Sequence, residues 1–424
     1  MRREDLKQNY IAPIIVGIFV ALVLVWIIDP YLDHQNKKEE INYRFDKANN
    51  LLDTGQFEKA IDEYNEILKI SYNKFPYEYA AAQLRIGAAY WNLASVNDKE
   101  INIENAINAY QKALDIYTVE KYPLEYANTQ TNLGAAYNDL ADVKDTEINA
   151  KNAINAFKKA LEIRTVEKYP LDYANTQNNL GTAYWLLSKV KDTEINAENA
   201  INAYQKALEI RTVEKYPLDY ATTQSNLGTA YQLLAKVKDI EINAKNAINA
   251  FKKALEIRTV EKYPLDYANT QNNLGVAYWL LAKVKDTEIN AENAINAYQK
   301  ALDIHTVEKY PLDYATIQSN LGAAYQLLAE VKDTEANAEN AINACQKALE
   351  IHTVEKYPLD YANTQNNLGV AYQLLAEVKD TEANVENAIN AYQKALEIHT
   401  VEKYPLDYAT TQSNLESIKV IEKV

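Results

Sequence analysis

Between Pro170 and Tyr216 the apolar positions fall into two helical stripes. Tyr173, Gln177, Leu180, Tyr184 and Leu187 recur at three- and four-residue steps and so share one face of a first helix. Ala197, Ala200, Ile201, Tyr204, Ala207 and Leu208 do the same for a second helix. Pro170 fits the first turn of the first helix, where its missing N–H costs nothing, and Asp172 lies just inside it at the positive end of the helix dipole. Arg211 is placed in the last turn of the second helix, where a cation is favoured. The start of that helix stays open, because Asp192 and Asn196 are both suitable N-caps.

The two stripes return along the chain. Pro76, Pro123, Pro170, Pro217, Pro264, Pro311, Pro358 and Pro405 lie 47 residues apart, and the glycines from Gly87 to Gly369 keep the same step. A fixed period in this range denotes stacked supersecondary units rather than one globular core. Seven long helix pairs are expected over 76–404, with 405–424 as a solitary capping helix in which Glu416 stands where the glycine recurs. Residues 41–75 carry a shorter pair, Ala48, Leu51, Gly55, Ala60, Ile61, Tyr64 and Leu68, with a Gly-Gln turn, read as the N-terminal cap. ANTQNN at Ala174, Ala268 and Ala362 alternates with ATTQSN or ATIQSN at Ala221, Ala315 and Ala409, which points to a duplication unit of 94 residues.

Small residues, Gly181, Ala200 and Ala207, mark close helix approach. The series Leu180, Gly181, Tyr184, Ala200, Tyr204, Ala207 resembles the tetratricopeptide repeat (TPR). The usual period of that family is shorter, so about 13 extra residues are shared between the loops. The resemblance implies an all-α, right-handed α-solenoid of TPR-like helix pairs.

At the N-terminus, after a short flank at 1–10, Ile11 to Ile28 is apolar throughout, bounded by Arg2, Arg3 and Lys7 before and Asp29 and Asp33 after. These 18 residues span about 27 Å as a helix, enough for a bilayer core, with Tyr10, Trp26 and Tyr31 at the interfaces. No small-residue cleavage site follows Trp26, so an uncleaved transmembrane anchor is expected at 11–28, with a polar linker at 29–40. The nearer cations on the N-terminal side place that end inside and the repeat array outside the cytoplasm.

Composition narrows the function. The net charge of −15 and the growing acidity of the later repeats exclude phosphate neutralisation, hence nucleic acid. A single cysteine, Cys345, excludes an internal disulfide; it replaces the aromatic of Phe157, Tyr204, Phe251, Tyr298 and Tyr392 and is read as a small core substitute. His305, His352 and His399 occupy the position of Arg164, Arg211 and Arg258, read as solvated residues at a helix C-terminus or as a pH-sensitive surface row. No catalytic residue, metal site or cofactor is expected.

Binding is expected on the first helix instead. Asn175, Asn178, Thr182 and Trp185 fall opposite its core stripe. In the family that face lines a concave groove. The lysines and arginines of the family's carboxylate clamp are absent from these positions. The residue before each Leu-Gly is Asn132, Asn179, Asn226, Asn273, Asn320 and Asn367, similar to the asparagine ladder of some TPR arrays. Such a ladder either pairs with the backbone of an extended peptide or bonds the neighbouring helix and fixes repeat geometry. Trp185 and Trp279 stand out as exposed hot-spot candidates where Gln232, Gln326 and Gln373 fill the same position. The expectation is a membrane-anchored scaffold for a protein or peptide partner. The alternative is a structural surface protein whose near-identical repeats assemble into fibres or homo-oligomers.

Overall fold

Proline, with its fixed φ and missing N–H, starts the first helix of every long pair. The computed structural model describes residues 12–421, so the N-terminal flank and Ile11 lie outside the described residues. An apolar helix α1 (Ala12–Val23) runs through a π-turn (Leu24–Ile28) into α2 (Asp29–Asp53), and Gly55, at φ +76°, turns the chain into α3 (Phe57–Ser71). The long pairs follow: α4 (Pro76–Leu93) with α5 (Lys99–Leu114), α6 (Pro123–Ala141) with α7 (Thr146–Leu161), α8 (Pro170–Ser188) with α9 (Thr193–Leu208), and α10 (Pro217–Ala235) with α11 (Ile240–Leu255). After them come α12 (Pro264–Ala282) with α13 (Thr287–Leu302), α14 (Pro311–Ala329) with α15 (Thr334–Leu349), α16 (Pro358–Ala376) with α17 (Thr381–Leu396), and the lone α18 (Pro405–Ile421). The described residues are thus all-α without a strand, 17 helices of a solenoid repeat: α2 to α7 stack in chain order in one unit and α8 to α18 in another. Two compact units result, one ending at Lys168 and the other starting at Tyr169.

Within a pair the core is made by glycine against an aromatic ring. A Cβ on Gly181 would stand 2.6 Å from Cε1 of Tyr204, a side chain that is fully buried. Cys345 takes the place of that ring against Gly322, and burial pushes its thiol up to about 12. The small core substitute is therefore where the repeat pattern puts it.

The second helix starts at Thr193, after Asp192 in the left-handed region at φ 44° with no side-chain cap bond. Asn196 sits inside the first turn, and its Nδ2 donates to Lys191 O at 2.8 Å. Equivalent amide bonds from Asn149, Asn243, Asn290, Asn337 and Asn384 close the same loop in other pairs. Asn196 is thus a loop staple and Asp192 the residue that turns, a division of labour the two candidate caps left undecided.

Three expectations change. Residues 29–40, expected as a linker, are helical and continue the apolar helix into the first core residue, Ile41. His34 already stacks on Phe75 at 4.6 Å. Arg211 is neither in the helix nor solvated: α9 ends at Leu208, and Arg211 is 6% exposed. Its Nη1 donates to Thr223 Oγ1 and its Nη2 to Asn175 Oδ1, both at 2.7 Å. It therefore bolts the first helix of its own pair to the first helix of the next.

The histidines at this position are buried too, at 2% exposure each, which overturns the solvated reading. His352 Nδ1 lies 3.2 Å from Thr364 Oγ1 and His399 Nδ1 3.0 Å from Thr411 Oγ1, while both Nε2 atoms are buried without a partner. Burial lowers their pKa values, and the nearby carboxylates Asp360 and Asp407 raise them by less. The folded chain holds these rings neutral, whereas the unfolded chain takes up protons as pH falls through about 6.5. Their contribution to stability is therefore present above that pH and lost below it. Replacing His352 and His399 by Arg, the residue of earlier repeats, should raise the melting temperature at pH 5 by several degrees more than at pH 7.5. Equal differences at the two pH values would show that the rings do not titrate on unfolding.

Candidate functional site

The expected binding residues of the second compact unit lie along its first helices, where they touch both the neighbouring first helix and the second helix of their own pair. In α8, Asn178 is 8% exposed, and its Oδ1 accepts from Thr223 Oγ1 at 3.2 Å and from Asn226 Nδ2 at 3.3 Å. Thr182 lies 3.2 Å from Tyr204 OH. These two side chains are occupied within the fold. The ladder asparagines continue the pattern: Asn320 Nδ2 donates to Asn272 Oδ1 at 3.3 Å and Asn367 Nδ2 to Ser319 Oγ at 3.5 Å, each one unit back. Asn179 Oδ1 accepts from Asn178 Nδ2 at 3.4 Å. Asn132 is half-buried and lies in the first compact unit.

Trp185 and Trp279 are half-buried, not exposed, because each indole packs against the core of its pair. The upper face of each ring carries a lysine, Lys189 Nζ 3.6 Å from the centroid of Trp185 and Lys283 Nζ 4.6 Å from that of Trp279. Stacking of this kind holds ring and cation in one geometry. Trp185 opens onto a cleft of about 490 Å³ lined also by Lys189, Gln232, Lys236, Asn273 and Val276. So Trp185 and Asn273 share one cleft, while Trp279 does not line it. The glutamines at the tryptophan position work within the fold, since Gln232 Nε2 donates to Asn273 O at 2.5 Å and Gln326 Nε2 to Asn367 O at 2.6 Å.

Two features escaped the sequence reading. The 47-residue column at the end of the first helices runs Ser95, Asp142, Lys189, Lys236, Lys283, Glu330, Glu377, so a cationic edge becomes anionic within the array. Glu330 is held above its ordinary pKa by burial and by Glu377. Trp91 occupies the tryptophan position one 94-residue period before Trp185, and its Nε1 donates to Asp139 Oδ2 at 2.5 Å. Burial raises the Asp139 carboxyl, with the indole bond and Lys99 acting against it. Both signals were present as 47-residue columns, but neither lies on the stripe that periodicity picks out.

Among the described residues no group of three His, Cys, Asp or Glu side chains is placed to hold a metal ion. One helix, Ile14–Asp53, is long and apolar enough to cross a membrane, and none of its apolar window is buried.

Residues 87–118 and 370–398 match the tetratricopeptide repeat family, so the chain carries repeats of that type. No curated protein matches the sequence. Among solved structures the chain is similar to the apo form of RapI, at 15% identity over 90% of this chain and 98% of that one, with a TM-score of 0.49. A Rap protein complexed with Competence and Sporulation Factor aligns at 13% identity over 90% and 98%, with a TM-score of 0.41. The TPR domain of P58(IPK) aligns at 14% identity over 91% and 98%, with a TM-score of 0.27.

Proposed function

We propose that the chain is a membrane-anchored scaffold, held by its apolar N-terminal helix, that binds an extended segment of a protein partner along the face of its first helices. The cleft at Trp185 carries this reading. A rigid indole with an adjoining recess and flanking polar groups is the arrangement in which interface energy concentrates. The asparagine ladder supports it from beneath, because its inter-unit amide bonds hold successive first helices in register. Exposure of Ile14 to Ile28 supports the anchor, since its large apolar side chains other than Val23 are 37 to 67% exposed, with Trp26 at 74%, and need a nonaqueous surround. The account assigns the chain no catalytic step.

The test uses the full chain and a Trp185→Gln variant, the replacement that Gln232, Gln326 and Gln373 show the fold accepts. Carbonate-washed membranes should retain both proteins. A partner cross-linked to the full chain in those membranes should be recovered about tenfold less with the variant, while the melting temperature stays within a degree or two. Recovery of the full chain in the soluble fraction would remove the anchor. Partner recovery indifferent to both Trp185→Gln and Trp279→Gln would remove the groove.

A further inference from the structure

The first compact unit contains its own example of what a carboxylate does beside this tryptophan. Trp91 Nε1 donates to Asp139 Oδ2, and the cation Lys99 lies close enough to Asp139 to favour its charged form. The residue 48 positions after Trp185 is Leu233, and 48 after Trp279 is Leu327, so the carboxylate is missing from both later copies. Trp279 Nε1 is consequently buried without a hydrogen-bond partner. In the same copies the edge has changed sign: Ser95 and Asp142 are replaced by Lys189, Lys236 and Lys283. Lys189 and Lys236 both line the cleft at Trp185.

We infer that the Trp185 cleft binds an acidic side chain of an extended peptide, with the carboxylate held between Lys189 and Lys236 and its neighbouring apolar atoms laid against Leu233 and Val276 beside the indole. The inference rests on the groove reading above and names the chemistry of its partner. Charge complementarity selects the occupant: in a chain of net charge −15, this cleft gathers two lysines and no carboxylate, where the cleft at Trp91 in the first unit sets one lysine, Lys99, against Asp139. An acidic peptide matches both features of the cleft, the donors and the apolar floor. A basic or neutral peptide matches only the floor. The acidic edge at Glu330 and Glu377 repels the same segment and so confines it to the lysine-bearing pairs.

The probe is hexaglutamate, titrated against the detergent-solubilised full chain and followed by tryptophan fluorescence, with hexaglutamine as the uncharged control. Lys189→Glu and Lys236→Glu copy the residue that Glu330 and Glu377 place at the same repeat position, so the fold accepts them. Lys206→Glu, on an exposed position of α9, makes the same change of net charge elsewhere. Hexaglutamate should bind at least tenfold more tightly than hexaglutamine at low salt. Lys189→Glu and Lys236→Glu should each reduce that preference several-fold, and Lys206→Glu should keep it. Equal binding of the two peptides, or an equal loss with Lys206→Glu, overturns the inference. Should either occur while Trp185→Gln still releases a cross-linked partner, the groove remains and only its carboxylate preference falls; should Trp185→Gln release nothing either, both fall together.

Discussion

Gly181→Ala is expected to be among the most damaging single methyl groups that can be added to the second compact unit, with the same change at Gly275 and Gly369. The new Cβ would lie 2.6 Å from Cε1, 2.7 Å from Cδ1 and 2.9 Å from Cζ of Tyr204, along one edge of the ring. That ring cannot swing aside, because it is 1% exposed and packed with Ala197, Ala200, Ile201 and Leu227. The helices must part instead. Overpacking a dense core costs about 1–3 kcal/mol, and a closed ring edge puts this site near the upper figure. Tyr204→Ala should cost about 3–5 kcal/mol through the cavity it leaves. In the double variant the alanine methyl enters that cavity, so the combined loss should fall short of the sum by more than about 1 kcal/mol. Urea denaturation of the four proteins measures this. Strict additivity would mean that glycine is present for a reason other than the ring.

This pairing shows how far the sequence could be read. The glycine column and the aromatic column recur at the same step, and the helical stripes place Gly181 and Tyr204 on facing surfaces before any coordinates are known. Contacts inside one unit follow from the 3.6-residue period because both partners lie on the stripe that defines the core. Contacts between units do not. Arg211 follows a helix and carries a charge, so by itself it reads as solvated, yet it is covered by Thr223 from the next unit and Asn175 from its own. Asn178 was placed on the open face by its angle around α8 and is closed by Thr223 and Asn226 for the same reason. The lysine edge was missed because Lys189 and Lys236 lie beyond the helix end that the stripe marks. Residues 29–40 read as a linker from their polarity, but a polar helix is stable when both its ends are tied, here to α1 and to the core at Ile41.

The same inter-unit contacts give a second large effect, because they should re-form between units that are not neighbours. Deleting Pro217 to Tyr263 brings the pair α8–α9 against α12. Arg211 would then meet Thr270 in place of Thr223, and Asn273 would stand where Asn226 now bonds Asn178. Lys285 would replace Lys238, which pairs with Glu194 and Glu198, both at 2.7 Å. Every partner lost has a chemical equivalent one unit on, so the array should shorten without a broken interface. Deleting only Pro217 to Ile240 instead removes a first helix and sets α9 against α11, two second helices whose apolar stripes were built to face first helices. The shorter deletion should therefore do more harm than the longer one.

The central claim is that the chain from Pro76 is a series of interchangeable 47-residue units whose first helices, from Pro170 onward, form a continuous face. Far-ultraviolet circular dichroism with thermal melting of the full chain and the two deletions tests it most directly. The account predicts that loss of Pro217 to Tyr263 leaves the helical signal per residue unchanged and the melting sharp, lowered by a few degrees, whereas loss of Pro217 to Ile240 reduces the signal per residue and broadens the transition. Equal losses in the two deletions would contradict it.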